Sequence, residues 1–126
     1  MNKAIKAQWI EALKSGDYKK GNSALYYKNK ETEEMEYCCL GVLCDLYQKE
    51  HPETSSWRAP EDKGHFLRTF DVRVGGEVEE LGCNSYPPKV VTEWADLHGI
   101  YVNSLAVKND NGATFHQIAE EIEEKH

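Results

Sequence analysis

The densest apolar stretch of the chain is Cys38-Cys39-Leu40-Gly41-Val42-Leu43-Cys44-Asp45-Leu46-Tyr47. Its apolar residues recur with the period of a helix rather than with the alternation of a strand. A helix that is apolar on most sides belongs at the centre of a core. Gly41 inside it costs about 1 kcal/mol relative to alanine, so we expect another backbone to pack closely there. The stretch therefore predicts a central buried helix that ends before Pro52.

Upstream of this stretch, the sequence predicts an amphipathic helix followed by a hairpin. Residues 3–14 have helical spacing of apolar side chains, with Asn2 as the N-terminal cap and Gly16 as the stop. Residues 23–27 are rich in strand formers, and a polar turn separates them from a second short strand at residues 35–37.

Downstream, residues 51–65 are polar and contain two prolines. They predict a surface connection that displays Trp57 and Arg58. Phe66, Phe70, Val72, Val74, Val78 and Leu81 then indicate a second hairpin, with Gly75-Gly76 as its turn.

The last third of the chain predicts two helices separated by a strand and a turn. Pro88 suits the first turn of one helix, and Gly99 is its expected stop. Ile100-Tyr101-Val102 predicts a short strand, and Asn109-Asp110-Asn111-Gly112 a turn. The final helix begins with a capping box at Thr114.

These elements fit one domain, since 126 residues leave no room for a second core. Runs of helix and hairpin without a repeated β-α-β order indicate antiparallel pairing. We therefore expect an α+β fold over residues 1–126, with about four helices and two β-hairpins that form a small antiparallel sheet.

The charge balance constrains the partners. Fifteen Lys and Arg against twenty-two Asp and Glu give a formal net charge of -7, which repels nucleic-acid phosphates. An acidic surface can imitate DNA toward a protein, but this charge is also ordinary for a well-dissolved domain. No apolar run reaches the length of a signal peptide core or a membrane span. We expect a cytosolic protein without nucleic-acid or membrane partners.

Four motifs extend over nearly the whole chain. They are Trp9-x-x-Ala12-Leu13-x-Ser15-Gly16-x-Tyr18, Tyr37-Cys38-Cys39-Leu40-Gly41-Val42-Leu43-Cys44-Asp45-Leu46, Pro88-x-x-Val91-x-x-Trp94-Ala95, and Asn109-Asp110-x-Gly112-x-x-Phe115-x-x-Ile118-Ala119. Together they resemble a family of small proteins encoded by bacteriophages and prophages, and the second motif is the most specific. Asp96 and Lys108 depart from the residues common in that family, in expected turns.

The resemblance implies a phage accessory protein in the host cytosol and brings no catalytic residues with it. By analogy of genomic setting, such a protein acts against host defence. It can do so by sequestering a nucleotide-type signalling molecule, or by inhibiting a host defence protein, either alone or as a homo-oligomer.

The cysteines are Cys38, Cys39, Cys44 and Cys83, and their spacing lacks the Cys-x-x-Cys pairs of structural zinc sites. Buried thiols are therefore the expectation, with no metal and no cofactor. A small Cys-dependent enzyme stays an alternative because Cys38 or Cys39 lies at a helix N-terminus, where a thiol pKa can fall. The sequence contains no phosphate-binding glycine loop, no serine-hydrolase elbow and no His-Glu-x-x-His motif, which favours a non-enzymatic function.

Arginines and an aromatic residue supply the candidate ligand site. Arginine binds phosphates through paired contacts, and an exposed tryptophan can stack on a base. The backbone amides at the start of the last helix also suit an anion. The predicted ligand-binding residues are Trp57, Arg58, Arg68, Arg73, Asn109 and Asp110. The alternatives are solvated arginines on a strand face and a turn that only feeds the last helix.

Overall fold

The computed structural model describes residues 1–59, 67–74 and 77–125. The helices are α1 (Lys3–Lys14), α2 (Cys39–Glu50), α3 (Lys89–Ala95), α4 (Gly99–Asp110) and α5 (Phe115–Lys125). The strands are β1 (Tyr26–Lys28), β2 (Met35–Tyr37), β3 (Ser55–Arg58), β4 (Thr69–Val74) and β5 (Glu77–Cys83). The α+β class is confirmed, with one helix more than expected. None of the helices in this described part of the chain has the length and apolarity to cross a membrane.

The strands form two antiparallel sheets. Strands β1 and β2 pair with Tyr26 opposite Tyr37, while β3, β4 and β5 form a three-stranded sheet with Trp57 opposite Phe70. Both predicted hairpins are confirmed, but they belong to separate sheets that meet at one antiparallel bridge between Tyr27 and Leu67.

The surface connection predicted at residues 51–65 is corrected in part, because β3 occupies residues 55–58. Its residues 60–65, together with Phe66 and the predicted turn Gly75-Gly76, lie outside the described residues.

Helix α2 lies at the centre of the core, as its sequence predicts. The Trp9 indole N–H donates a 2.9 Å hydrogen bond to the Cys39 carbonyl oxygen. This bond connects α1 to the first turn of α2. A Cβ at Gly41 would lie 1.7 Å from the carbonyl oxygen of Leu25. The expected close approach of a second backbone at Gly41 is therefore confirmed.

The predicted ends of α1 and the predicted start of α5 are also confirmed. Asn2 Oδ1 accepts a 3.1 Å hydrogen bond from the Ile5 amide, and Gly16 takes a φ of 81° just after the end of α1. At the start of α5, the Thr114 amide donates to Gln117 Oε1 at 2.9 Å and the Gln117 amide donates to Thr114 Oγ1 at 3.1 Å. Each bond satisfies an amide that the helix leaves without a partner.

The strand predicted at residues 100–102 is wrong, because these residues belong to α4. Helix α4 buries Val102 and Leu105 yet also carries exposed Ile100 and Val107, so its sequence lacks the one-sided pattern of an amphipathic helix. The stop predicted at Gly99 is wrong as well. Helix α3 instead ends at Ala95, and Asp96 caps it with a left-handed φ of 52°.

Candidate functional site: a lysine-lined cleft beside the first hairpin

A cleft of about 570 Å³ opens beside the β1–β2 hairpin. Its described lining consists of the loop before β1, the end of β1 with the turn after it, and one residue just before β4: Asn22, Ala24, Tyr27, Lys28, Asn29, Lys30, Glu31 and Leu67. A volume of this size lies within the range of small-molecule sites, roughly 300–1,000 Å³.

Glu36, on β2, organises the wall of the cleft. Its side chain is largely buried and accepts a 2.8 Å hydrogen bond from the Tyr27 hydroxyl and a 3.1 Å bond from Asn29 Nδ2. The Tyr27 hydroxyl also accepts from the Asn22 amide at 3.1 Å. Burial raises the pKa of Tyr27; the hydrogen bond from the Asn22 amide lowers it, and the hydrogen bond to Glu36 raises it. The ring is thereby held between the strand and the loop before it.

The positive charges in the described lining of the cleft come from two lysines at the hairpin turn. Asn29 Oδ1 accepts from the Glu31 and Thr32 amides at 2.8 and 3.2 Å, which closes the turn and sets Lys28 and Lys30 on either side of Asn29. Two lysines against Glu31 give the described lining a formal charge of 2 - 1 = +1, on a chain whose net charge is -7. The Glu36 carboxylate behind this lining is ion-paired with Lys19 Nζ at 3.9 Å, so the described lining of the cleft is locally positive on an acidic protein.

Trp57 lies on the other side of the hairpin from the cleft. It packs on Tyr26 and Phe70, with ring centroids 5.0 and 4.7 Å away, and its indole N–H donates to Asp45 Oδ1 at 3.2 Å. Tyr26 and Tyr27 are consecutive strand residues that point to opposite faces. Trp57 is thus half-buried in an aromatic cluster, and its predicted display in a surface connection is wrong.

The three arginines do not share one site. Arg68 follows Leu67 directly and donates its backbone amide to the Tyr26 carbonyl at 3.0 Å, so it lies next to the cleft. Arg58 Nε instead donates to Asp71 Oδ2 at 2.7 Å. Arg73 is exposed near the end of β4, five residues beyond Arg68, a separation of about 16 Å along an extended chain.

Asn109 and Asp110 make internal contacts. Asn109 is fully buried, donates from Nδ2 to the Gly21 carbonyl at 2.9 Å, and accepts the Cys39 amide at 3.1 Å. Asp110 Oδ1 accepts from the Ser23 amide at 2.8 Å. Both residues end α4 rather than form the expected turn, and they hold the loop that leads into the cleft. Their role as ligand contacts stays a prediction.

The thiols of Cys38, Cys39 and Cys44 are buried, as expected, and none of the three forms a disulfide. Desolvation raises the pKa of Cys38 to about 11 and that of Cys39 well above its ordinary value. A buried thiol that holds its proton this firmly is a poor nucleophile, which weighs against the Cys-dependent enzyme. The Cys83 side chain lies outside the described residues. Within residues 1–59, 67–74 and 77–125, no group of three or more His, Cys, Asp or Glu side chains is placed to hold a metal ion.

Sequence reasoning missed the cleft residues Tyr27, Lys28 and Lys30. The available signal is a pair of lysines on either side of Asn29 in an otherwise acidic chain, but the polar residues of this segment indicate only a turn. The tyrosine gave no separate signal, because seven tyrosines occur in the sequence and their spacing does not distinguish them.

Comparison with known proteins adds a family. No curated protein and no solved structure matches the chain significantly. The chain belongs to the family described as "Domain of unknown function (DUF8296)", whose sequence profile matches residues 1–126.

Proposed function

We propose that this protein acts by binding rather than by catalysis, and that it captures a small phosphorylated molecule of the nucleotide type in the lysine-lined cleft. The observation that carries the proposal is the locally positive cleft of about 570 Å³ on a chain with a net charge of -7. An anion avoids most of such a surface and concentrates where the local charge is reversed.

The chemistry of the lining favours phosphate over other anions. The ammonium groups of Lys28 and Lys30 are compact charges on flexible stems, which is how lysine ordinarily contacts phosphate oxygens. The ring of Tyr27 and the side chain of Leu67 offer apolar surface beside these charges. A ligand with a charged group and a flat apolar group, such as a nucleotide, matches both parts.

The proposed biological setting is that of a phage accessory protein in the host cytosol. In this setting the protein sequesters a nucleotide-type signal of host defence, and stoichiometric capture is enough without turnover. The raised pKa of Cys38 and Cys39 supports this function over the Cys-dependent enzyme.

The first test is thermal unfolding of the pure protein against a panel of linear nucleotides, cyclic nucleotides and ADP-ribose derivatives. A ligand present at one hundred times its dissociation constant adds about 2.7 kcal/mol, which moves the midpoint by several degrees. Mass spectrometry of heat-released material identifies any compound that co-purifies. If no member of the panel shifts the midpoint and no compound is released, capture of a nucleotide is refuted.

Variants then locate the site. Lys28→Ala and Lys30→Ala should each weaken the affinity for the panel member that binds by about 1–2 kcal/mol, roughly five- to thirtyfold, without lowering the unfolding midpoint of the free protein. Lys3→Ala removes the same charge from the exposed side of α1 and is the matched control. If Arg58→Ala and Arg73→Ala lose affinity for the ligand while Lys28→Ala and Lys30→Ala bind it normally, the site lies at the arginines predicted from sequence and not in the cleft.

A further inference from the structure

The part of the cleft lining that precedes β1 is a short segment with fixed ends. Backbone hydrogen bonds of 2.7 Å, one donated by the Gly21 amide and one by the Leu25 amide, hold these ends. Between them, Asn22 and Ala24 line the cleft, and Ser23 stands between these two residues. The backbone conformation of Ser23 therefore decides where both lining residues lie.

Ser23 has a left-handed backbone, with a φ of 69°. A residue with a side chain is disfavoured in this conformation by about five- to thirtyfold relative to its ordinary conformations. Such a conformation persists where surrounding contacts hold it. A change of φ at Ser23 would redirect the chain between the two fixed ends, and so would move Asn22 and Ala24.

Asp110, at the C-terminal end of α4, supplies a contact that holds Ser23. Its Oδ1 accepts a hydrogen bond from the Ser23 amide at 2.8 Å, a length typical of a bond to a charged acceptor. The same oxygen lies 3.4 Å from Asn109 Nδ2, which also donates to the Gly21 carbonyl oxygen at 2.9 Å. The buried amide of Asn109 thus orients the Asp110 carboxylate toward Ser23.

Asp110 acts on the cleft from behind this segment. Asp110 and Ser23 line a separate cavity of about 60 Å³, whereas Asn22 and Ala24 line the cleft. The segment is therefore a partition between the two spaces, and the carboxylate touches its rear side.

We infer that Asp110 is a positioning residue for the cleft, because it holds Ser23 in the left-handed conformation and thereby keeps Asn22 and Ala24 in place. Its effect on ligand affinity rests on the proposed function, but its effect on the segment does not. A negative charge alone repels a phosphorylated ligand. Loss of the charge would therefore strengthen binding, whereas loss of the positioning weakens it, and the two roles differ in sign.

The first measurement is amide hydrogen exchange of the free, full chain by NMR. Asp110→Ala should accelerate exchange of the Ser23 amide by about fivefold or more, because the amide loses its acceptor. Asp110→Asn keeps an oxygen beside two donors and should stay within about twofold of the wild type. Asp17→Ala removes a carboxylate from an exposed position outside the described cleft lining and is the matched control. Since Asp110 is itself exposed, its substitution should leave the circular dichroism spectrum unchanged.

The second measurement is calorimetric titration of the same proteins with ADP. Asp110→Ala should weaken the affinity about three- to tenfold, whereas Asp110→Asn should not weaken it. Adding Ser23→Gly to Asp110→Ala should recover affinity by about twofold or more, because glycine adopts a positive φ without the steric penalty.

Three results would overturn the inference. They are an unchanged Ser23 exchange rate in Asp110→Ala, tighter binding of ADP by Asp110→Ala than by the wild type, and a double variant that binds no better than Asp110→Ala. If the wild type does not bind ADP, the result counts against the proposed function, and the exchange rates alone then decide whether Asp110 positions the segment.

Discussion

Replacing Gly41 with alanine tests the closest backbone contact in the core. The added Cβ would lie 1.7 Å from the carbonyl oxygen of Leu25 and 2.6 Å from its carbonyl carbon. Both are backbone atoms, so no side-chain rotation relieves the overlap. Since non-bonded atoms sit about 3.5–4.0 Å apart, α2 and the segment at Leu25 must separate by roughly 2 Å.

The cost of this separation has two parts. Overpacking a core costs about 1–3 kcal/mol. The 3.2 Å hydrogen bond from the Cys38 amide to the Leu25 carbonyl is also lost, and a buried unpaired group costs about 1–3 kcal/mol. Alanine recovers at most about 1 kcal/mol through its helix propensity. We expect Gly41→Ala to lower the free energy of unfolding by about 3 kcal/mol, and the melting midpoint by roughly 10 °C.

Urea titration followed by circular dichroism measures this change, and Gly99→Ala is the matched control. Gly99 also lies in a helix, but a Cβ there meets nothing within 4 Å, so its substitution should shift stability by less than about 1 kcal/mol. A Gly41→Ala variant within about 1 kcal/mol of the wild type would refute the contact between α2 and Leu25.

Two further predictions concern buried polar groups. Asn109→Ala should lower the free energy of unfolding, measured by urea titration, by about 2–4 kcal/mol, because the Cys39 amide and the Gly21 carbonyl lose their partner. The control Asn111→Ala, at an exposed position, should cost less than about 0.5 kcal/mol. Equal effects of the two substitutions would contradict the role of Asn109. Because burial raises the pKa of Cys38 to about 11, the unfolded state releases the thiol proton first as pH rises. The contribution of the Cys38 thiol to the free energy of unfolding is fully present below about pH 8.5. It decreases by up to roughly 3 kcal/mol as the pH rises to 11. Cys38→Ala should therefore reduce the loss of unfolding free energy between pH 7.5 and pH 10, and an unchanged slope would count against the buried thiol.

Local patterns predicted the elements whose signals lie within a few residues of each other. The apolar residues of α2 recur with a helical period from Cys39 to Tyr47, and the capping box at Thr114 depends on two side chains three positions apart. Gly41 carried tertiary information as well, because a glycine inside a buried helix needs a reason in packing. These signals identified the centre of the core and the ends of two helices.

The failures have physical causes in long-range packing. Helix α4 escaped prediction because Ile100 and Val107 add an apolar outer side that removes the one-sided pattern. The polar sequence neighbours of Trp57 indicate a surface position, whereas its hydrogen-bond partner Asp45 lies on α2, which precedes it in the chain. The cleft depends on the approach of Leu67 to Tyr27, forty residues earlier, which no local pattern shows.

The bonds of Asn109 have a consequence for the order in which the protein folds. They join the end of α4 to Gly21, which lies 88 positions earlier in the chain, and to Cys39, which lies 70 positions earlier. Contacts of such high sequence separation close large loops and slow folding. During synthesis, the loop that enters the cleft lacks its anchor until Asn109 has left the ribosome. The cleft, although its described lining comes almost entirely from the first third of the chain, is therefore expected to be among the last parts of the molecule to mature.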